Sequence, residues 1–223
     1  MKNKKVLIVG GSSGIGLNLA KKLELKGADV IIASRSAKEK QSELKNLSGL
    51  HSSTFYSVDI TKEEDIKNLL KIVGNIDHLV LTVKSPLVSG SFLELNPEDV
   101  RSAFETKFWG QYNFAKLARK NINKNGSITL TSGTLGVRPY SGYSTMSIIA
   151  GAVDSLCKAL AVELAPLRVN SVSPGYKTLE ELHDKIPLGL GSDAKMSNPY
   201  LFLLEDSYLT GTSIVCDGGA TLV

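Results

Sequence analysis

The residues best suited to chemistry stand near the start of the chain. Val6-Leu7-Ile8-Val9 is a short apolar run and Gly11-Ser12-Ser13-Gly14-Ile15-Gly16 a glycine-rich turn, with Gly10 between them. Leu17-Asn18-Leu19-Ala20-Lys21-Lys22-Leu23 then repeats its apolar residues at helical spacing. Buried strand, bare loop and helix N-terminus in that order bring backbone N–H groups to one point, which suits the diphosphate of a dinucleotide. Gly11, Ser13, Gly14, Ile15 and Gly16 are the candidate contacts, and a purely structural tight turn is the alternative. A second set closes the next apolar run, Val30–Ala33, with Ser34, Arg35 and Ser36. NAD-binding sites usually place an acidic residue there for the ribose 2′-hydroxyl. Small hydroxyls beside a guanidinium suit a 2′-phosphate instead, so NADP(H) is the expected cofactor; the alternative is that Arg35 is merely solvated. Asp59, with Ile60 after it, ends a third run, where it can accept from an adenine amino group or cap the helix that begins near Thr61.

These residues need a scaffold that alternates strands with helices. Strand patterns recur at Ser53–Val58, Asp77–Leu81, Gly126–Thr131, Leu167–Val172 and Ser213–Cys216. Amphipathic stretches lie between them at roughly 37–47, 62–73, 97–121, 144–164 and 199–205. The alternation predicts one α/β domain over 1–223, a doubly wound Rossmann fold whose seven-stranded parallel sheet carries helices on both faces. The least regular piece, 176–198, is either a substrate lid beyond the strand ends or a loose surface loop.

The totals narrow the class. A chain of 223 residues, 42% hydrophobic and 22% charged, is ordinary for a globular domain. Its net charge of +4 is mild and scattered, which argues against nucleic acid as a partner. Cys157 and Cys216 share no metal or redox spacing, and His51, His78 and His183 suggest no metal site. No signal-peptide core and no apolar run of about 18 residues is seen, so a cytoplasmic protein without a membrane segment is expected.

Together these motifs resemble the short-chain dehydrogenase/reductase family, single-domain oxidoreductases that use NAD(H) or NADP(H). Gly11–Gly16 is similar to the family's Thr-Gly-x-x-x-Gly-x-Gly loop, with Gly10 where threonine is usual. Asp59 matches the adenine-side aspartate. Arg168–Gly175 matches the stretch ending beneath the nicotinamide, and Val215-Cys216-Asp217-Gly218-Gly219 matches the last strand and its turn. The resemblance implies cofactor contacts at Thr82, Val83, Lys107, Pro174, Gly175 and Lys177, a small carbonyl or alcohol substrate, and a homodimer or homotetramer.

The family's proton relay is where the resemblance fails. It uses a Tyr whose phenol is made acidic by a Lys four residues on, with a Ser and an Asn. Here Tyr140 is followed by Ser144 and Tyr143 by Ser147. Counting from both flanks puts Gly133 at the Ser position, Met146 at the Tyr, Ala150 at the Lys and Lys107 at the Asn, while Leu81-Thr82-Val83-Lys84 replaces Asn-Asn-Ala-Gly. Two readings stay open. Lys107, Ser132 and Tyr143 form a substitute catalytic set, with Thr131 and Lys84 nearby; or the chain is an NADP(H)-binding scaffold, or a non-redox enzyme, that has lost the relay.

Overall fold

Seven parallel strands make the frame: β1 (Lys5–Val9), β2 (Asp29–Ser34), β3 (Thr54–Ser57), β4 (Ile76–Leu81), β5 (Ile122–Thr131), β6 (Arg168–Pro174) and β7 (Ser213–Cys216). They pair in the order β3-β2-β1-β4-β5-β6-β7, so the direction of winding reverses between β1 and β4. The computed structural model describes residues 1–176 and 185–223, with the backbone alone at 47–48. Successive strand residues point to opposite sides, and both sides are covered, which is why the central strands β1, β2 and β4 read as largely apolar runs. Leu7, Val9, Ile31, Leu79 and Ile128 pack under α3 (Glu63–Val73), α5 (Gly110–Ala118) and α6 (Ser144–Glu163). Val6, Ile8, Val30, Ile32 and Val80 pack under α1 (Gly14–Leu25), α2 (Gln41–Ser48) and α8 (Asn198–Glu205).

Three departures from the sequence pattern have local causes. β5 starts four residues before the expected Gly126, and its register with β4 slips between Ile76 and His78. Gly126 permits this, since a Cβ there would collide with the Asp77 carbonyl. The stretch 97–121, expected as one helix, is α4 (Pro97–Phe104), a π-turn (Glu105–Trp109), α5 and a 3₁₀ turn (Arg119–Asn121). Asn96 starts it by accepting from the Glu98 N–H, with Pro97 in the first turn. Of the expected lid or loop at 176–198, residues 177–184 lie outside the described residues; the rest contains a one-turn helix, α7 (Asp193–Met196), fixed to α1 because Lys22 Nζ donates to Ala194 O at 2.6 Å and to Ser197 Oγ at 2.7 Å.

α6 is long and apolar enough on average to cross a bilayer, although Asp154 and Lys158 interrupt its apolar residues. It lies instead on the sheet, burying Ile149, Val153, Cys157 and Ala161. Phe114 is fully buried among α5, β4 and β5 residues. Phe114→Ala is expected to destabilise the fold by about 3–5 kcal/mol, lowering the urea midpoint; an unmoved midpoint contradicts this core assignment.

Candidate active site

At the carboxyl ends of the strands, where the winding reverses, lies a cleft of about 580 Å³. The β1–α1 loop forms its floor. Gly10 has φ +85°, and a Cβ there would sit 2.7 Å from the Thr82 carbonyl; a Cβ on Gly16 would meet the Thr82 hydroxyl and lie 2.6 Å from Gly10 O. Gly10, Gly14 and Gly16 are therefore the three glycines of the loop, and the threonine position falls at Val9. This shifts the start of the motif by one residue. Gly11, expected as a contact, faces the core instead, its Cβ position 3.1 Å from Ile8 and Ile32. Ser12, Ser13 and Ile15 line the cleft, while Gly14 and Gly16 shape it from outside the lining.

Ser34, Arg35 and Ser36 line one end together, and the Ser12 and Ser34 hydroxyls are 2.7 Å apart, tying the loop to β2. Asp59 and Ile60 lie beside them. Asp59 Oδ1 accepts from the Thr61 N–H at 3.0 Å and the Thr61 hydroxyl at 2.8 Å, closing a turn ahead of α3. Burial alone would raise this carboxyl, but the Thr61 bonds with Lys62 and Arg35 nearby hold it below the ordinary carboxylate value. Of the two roles expected for Asp59, the local one is thus a turn before α3; the helix itself has Lys62 at its N-cap and no side-chain cap.

Thr82, Val83, Lys84, Lys107, Thr131 and Pro174 line the other end. The π-turn carries Lys107, whose ammonium donates to Val83 O at 3.1 Å. Burial, and the like charge of Lys84, lower it from an ordinary value of 10.5 to about 8. Gln111, unsuspected from the sequence, bolts this turn to the sheet. Its side-chain N–H donates to Lys107 O at 2.6 Å and Thr131 O at 3.1 Å, and its carbonyl accepts from the Thr131 N–H at 2.9 Å. Tyr200 was likewise missed: fully buried, with its hydroxyl 2.7 Å from that of Thr131, it closes the back wall. A polar residue in an apolar helix face was the only available hint of either.

Ser132 and Tyr143 do not join Lys107. The Ser132 hydroxyl is buried and donates to Ala150 O at 2.9 Å, and Tyr143 stands at the N-cap of α6; neither lines the cleft. Gly133 and Ala150 face one another, a Cβ on the first lying 3.9 Å from that of the second. A Tyr-x-x-x-Lys spacing does occur at Tyr112–Lys116, but on α5, where Tyr112 packs edge-on to Trp109 outside the cleft. Gly175 lies outside the lining too, because it packs on Asp217, 2.6 Å from its Cβ position. Lys177 lies outside the described residues.

The cleft fits a dinucleotide: a bare loop ahead of a helix for the diphosphate, and hydroxyls with a guanidinium at one end. The sequence profile described as "Enoyl-(Acyl carrier protein) reductase" matches residues 9–221. The short-chain dehydrogenase/reductase ATR9 of Stachybotrys chlorohalonatus is 32% identical, the alignment covering 100% of this chain and 98% of that protein. The chain belongs to the short-chain dehydrogenase/reductase family. The human 3-oxoacyl-[acyl-carrier-protein] reductase is also 32% identical, over 99% of each chain. Among solved structures, a small-chain dehydrogenase in complex with NADPH is 30% identical over the whole of both chains, with a TM-score of 0.86. The MalC Reductase/Diels-Alderase of Malbranchea aurantiaca is 27% identical, with a TM-score of 0.91 over 100% of this chain and 97% of that one.

The displaced titration of Lys107 has a signature in stability. Between about pH 8 and pH 10.5 the unfolded chain still holds the proton that folded Lys107 has released. This group's cost is therefore complete below pH 8 and relieved as pH rises through that window. Urea titrations of the native chain and Lys107→Met across the window should show their stability difference shifting in favour of the native chain as pH rises. A constant difference contradicts the assignment.

Proposed function

We propose that the chain is an NADP(H)-dependent oxidoreductase acting on a small carbonyl or alcohol through a non-standard active site. The observation that carries this is one cleft with Ser34-Arg35-Ser36 at one end and the Lys107 ammonium at the other. Arg35 and its serines receive the 2′-phosphate, Asp59 the adenine, and the N–H groups at the start of α1 the diphosphate. The NADPH complex of a 30% identical relative supports the same cofactor. When bound, the cofactor supplies the hydride.

The protein must then place a carbonyl oxygen and provide its proton. Lys107 does both: its ammonium is held by Val83 O, and a value near 8 keeps the proton bound at neutral pH yet transferable to a developing alkoxide. Val83 and Pro174 give apolar walls that limit water. The alternative, a scaffold or non-redox enzyme, is favoured by Gly133, Met146 and Ala150, whose side chains offer no proton-transfer group where the family keeps its relay. The name of the MalC neighbour, Reductase/Diels-Alderase, joins a reduction to a reaction of another class.

Two further readings accompany the cleft. Exposed Ile148 and Val162 on α6, with Trp109 beside α5, support a homodimer or homotetramer. The unpaired thiols of Cys157 and Cys216 support a reducing, cytoplasmic setting.

NADPH consumption with a panel of ketones, quinones and enones separates the readings. Turnover that falls about 10²- to 10⁴-fold in Lys107→Ala supports the oxidoreductase; NADPH binding with no turnover across the panel supports the scaffold. Arg35→Ala is expected to abolish the preference for NADPH over NADH, measured by calorimetry. Retained preference removes Arg35 from the site.

A further inference from the structure

Lys84 stands where the family's Asn-Asn-Ala-Gly segment ends in glycine, so its charge is an addition that the shared fold does not require. It follows β4, directly across the winding reversal from the glycine-rich loop. Its ammonium lies 3.6 Å from the Cβ position of Gly14, the first residue of α1, and its side chain lines the cleft. A carboxylate approaches the same point. Asp193 Oδ1, from α7, is 3.4 Å from that Cβ position. Gly14 has no side chain to keep either group away.

A dinucleotide diphosphate belongs at this point, over the N-terminus of α1. A cation there adds a charge-assisted contact to the backbone N–H groups, whereas a carboxylate there repels the incoming phosphates. Lys22 grips the Ala194 carbonyl and the Ser197 hydroxyl, so Asp193 is carried on an anchored turn and does not drift freely over the loop. We propose that the Lys84 ammonium is a dedicated counter-ion to the cofactor diphosphate, and that the Asp193 carboxylate, beside the same point but not ion-paired with Lys84, opposes that diphosphate. The proposal rests on the NADP(H) reading of the cleft.

Calorimetric titration tests it, with NADPH as the full ligand and adenosine 2′-monophosphate as a fragment that reaches Arg35 but carries no diphosphate. Lys84→Met should weaken NADPH about 10- to 100-fold and leave the fragment unchanged, while Lys84→Arg keeps most of the affinity. Asp193→Asn should tighten NADPH and leave the fragment unchanged. Circular dichroism of each variant checks that it is folded. Unchanged NADPH affinity in Lys84→Met overturns the counter-ion; equal losses for NADPH and the fragment do so too, because they indicate a diffuse charge effect. Unchanged or weakened NADPH binding in Asp193→Asn overturns the opposing role of Asp193. If the native chain binds no NADPH, the cofactor reading itself fails and this proposal with it. A neutral Lys84→Met in a chain that binds NADPH removes the proposal alone.

Discussion

Everything at the cleft depends on how closely the β1–α1 loop can approach the end of β4. The Thr82 N–H donates to Val9 O at 2.8 Å and its hydroxyl donates to the same carbonyl at 3.0 Å, extending the β1–β4 pairing one residue past the strands. Gly10 and Gly16 then rest directly on Thr82. A methyl group at either position would push the loop off β4. The helix dipole, the hydroxyls of Ser12 and Ser13 and the ammonium of Lys84 all take their places from that one contact. Interiors are close-packed, so the displacement would not be absorbed locally.

The scaffold was legible because its signals are repeated and redundant. The central strands β1, β2 and β4 are largely apolar on both sides and each helix follows at the spacing a parallel crossover needs, so no single residue decides the fold. The dinucleotide end was legible for a related reason: glycines, a short hydroxyl pair and Arg35 act through their own backbone or tip, close to where they stand in sequence. The same closeness caused the one-residue error at Gly11. Two adjacent glycines offer two registers; the three residues the motif places before its second glycine select Gly10, and the contact of Gly10 with Thr82, seventy-two positions away, agrees with that count.

The reactive end was harder, because its geometry comes from long-range bonds. Ser132 has the right chemistry and the right address, yet its hydroxyl is spent on Ala150 O across the α6 interface. Gln111 looks like one more polar helix residue, and nothing local shows that its amide spans from Lys107 to Thr131. Lys107 could be named from its neighbours Phe108 and Trp109, but a sequence pattern of one continuous helix could not foresee the turn that aims it. The family pattern helped most where this chain obeys it. At the relay, where counting from the flanks arrives at Gly133, Met146 and Ala150, the pattern names no side chain for the chemistry and leaves it to be sought in space.

The π-turn at Glu105–Trp109 has a consequence for how such a site can change over time. A π-turn holds one residue more than the α-turn it interrupts, and that residue advances the helix by about 100°. Every side chain after Lys107 is phased by it, including Phe114 and Ala118 in the core. Deleting a residue here would aim Lys107 elsewhere and, in the same step, rotate the packing face of α5 away from the sheet. The length of this turn is therefore held twice, by the cleft and by the core. A substitution at position 107 alters the cleft alone, whereas a change in the number of residues around it also shifts the core.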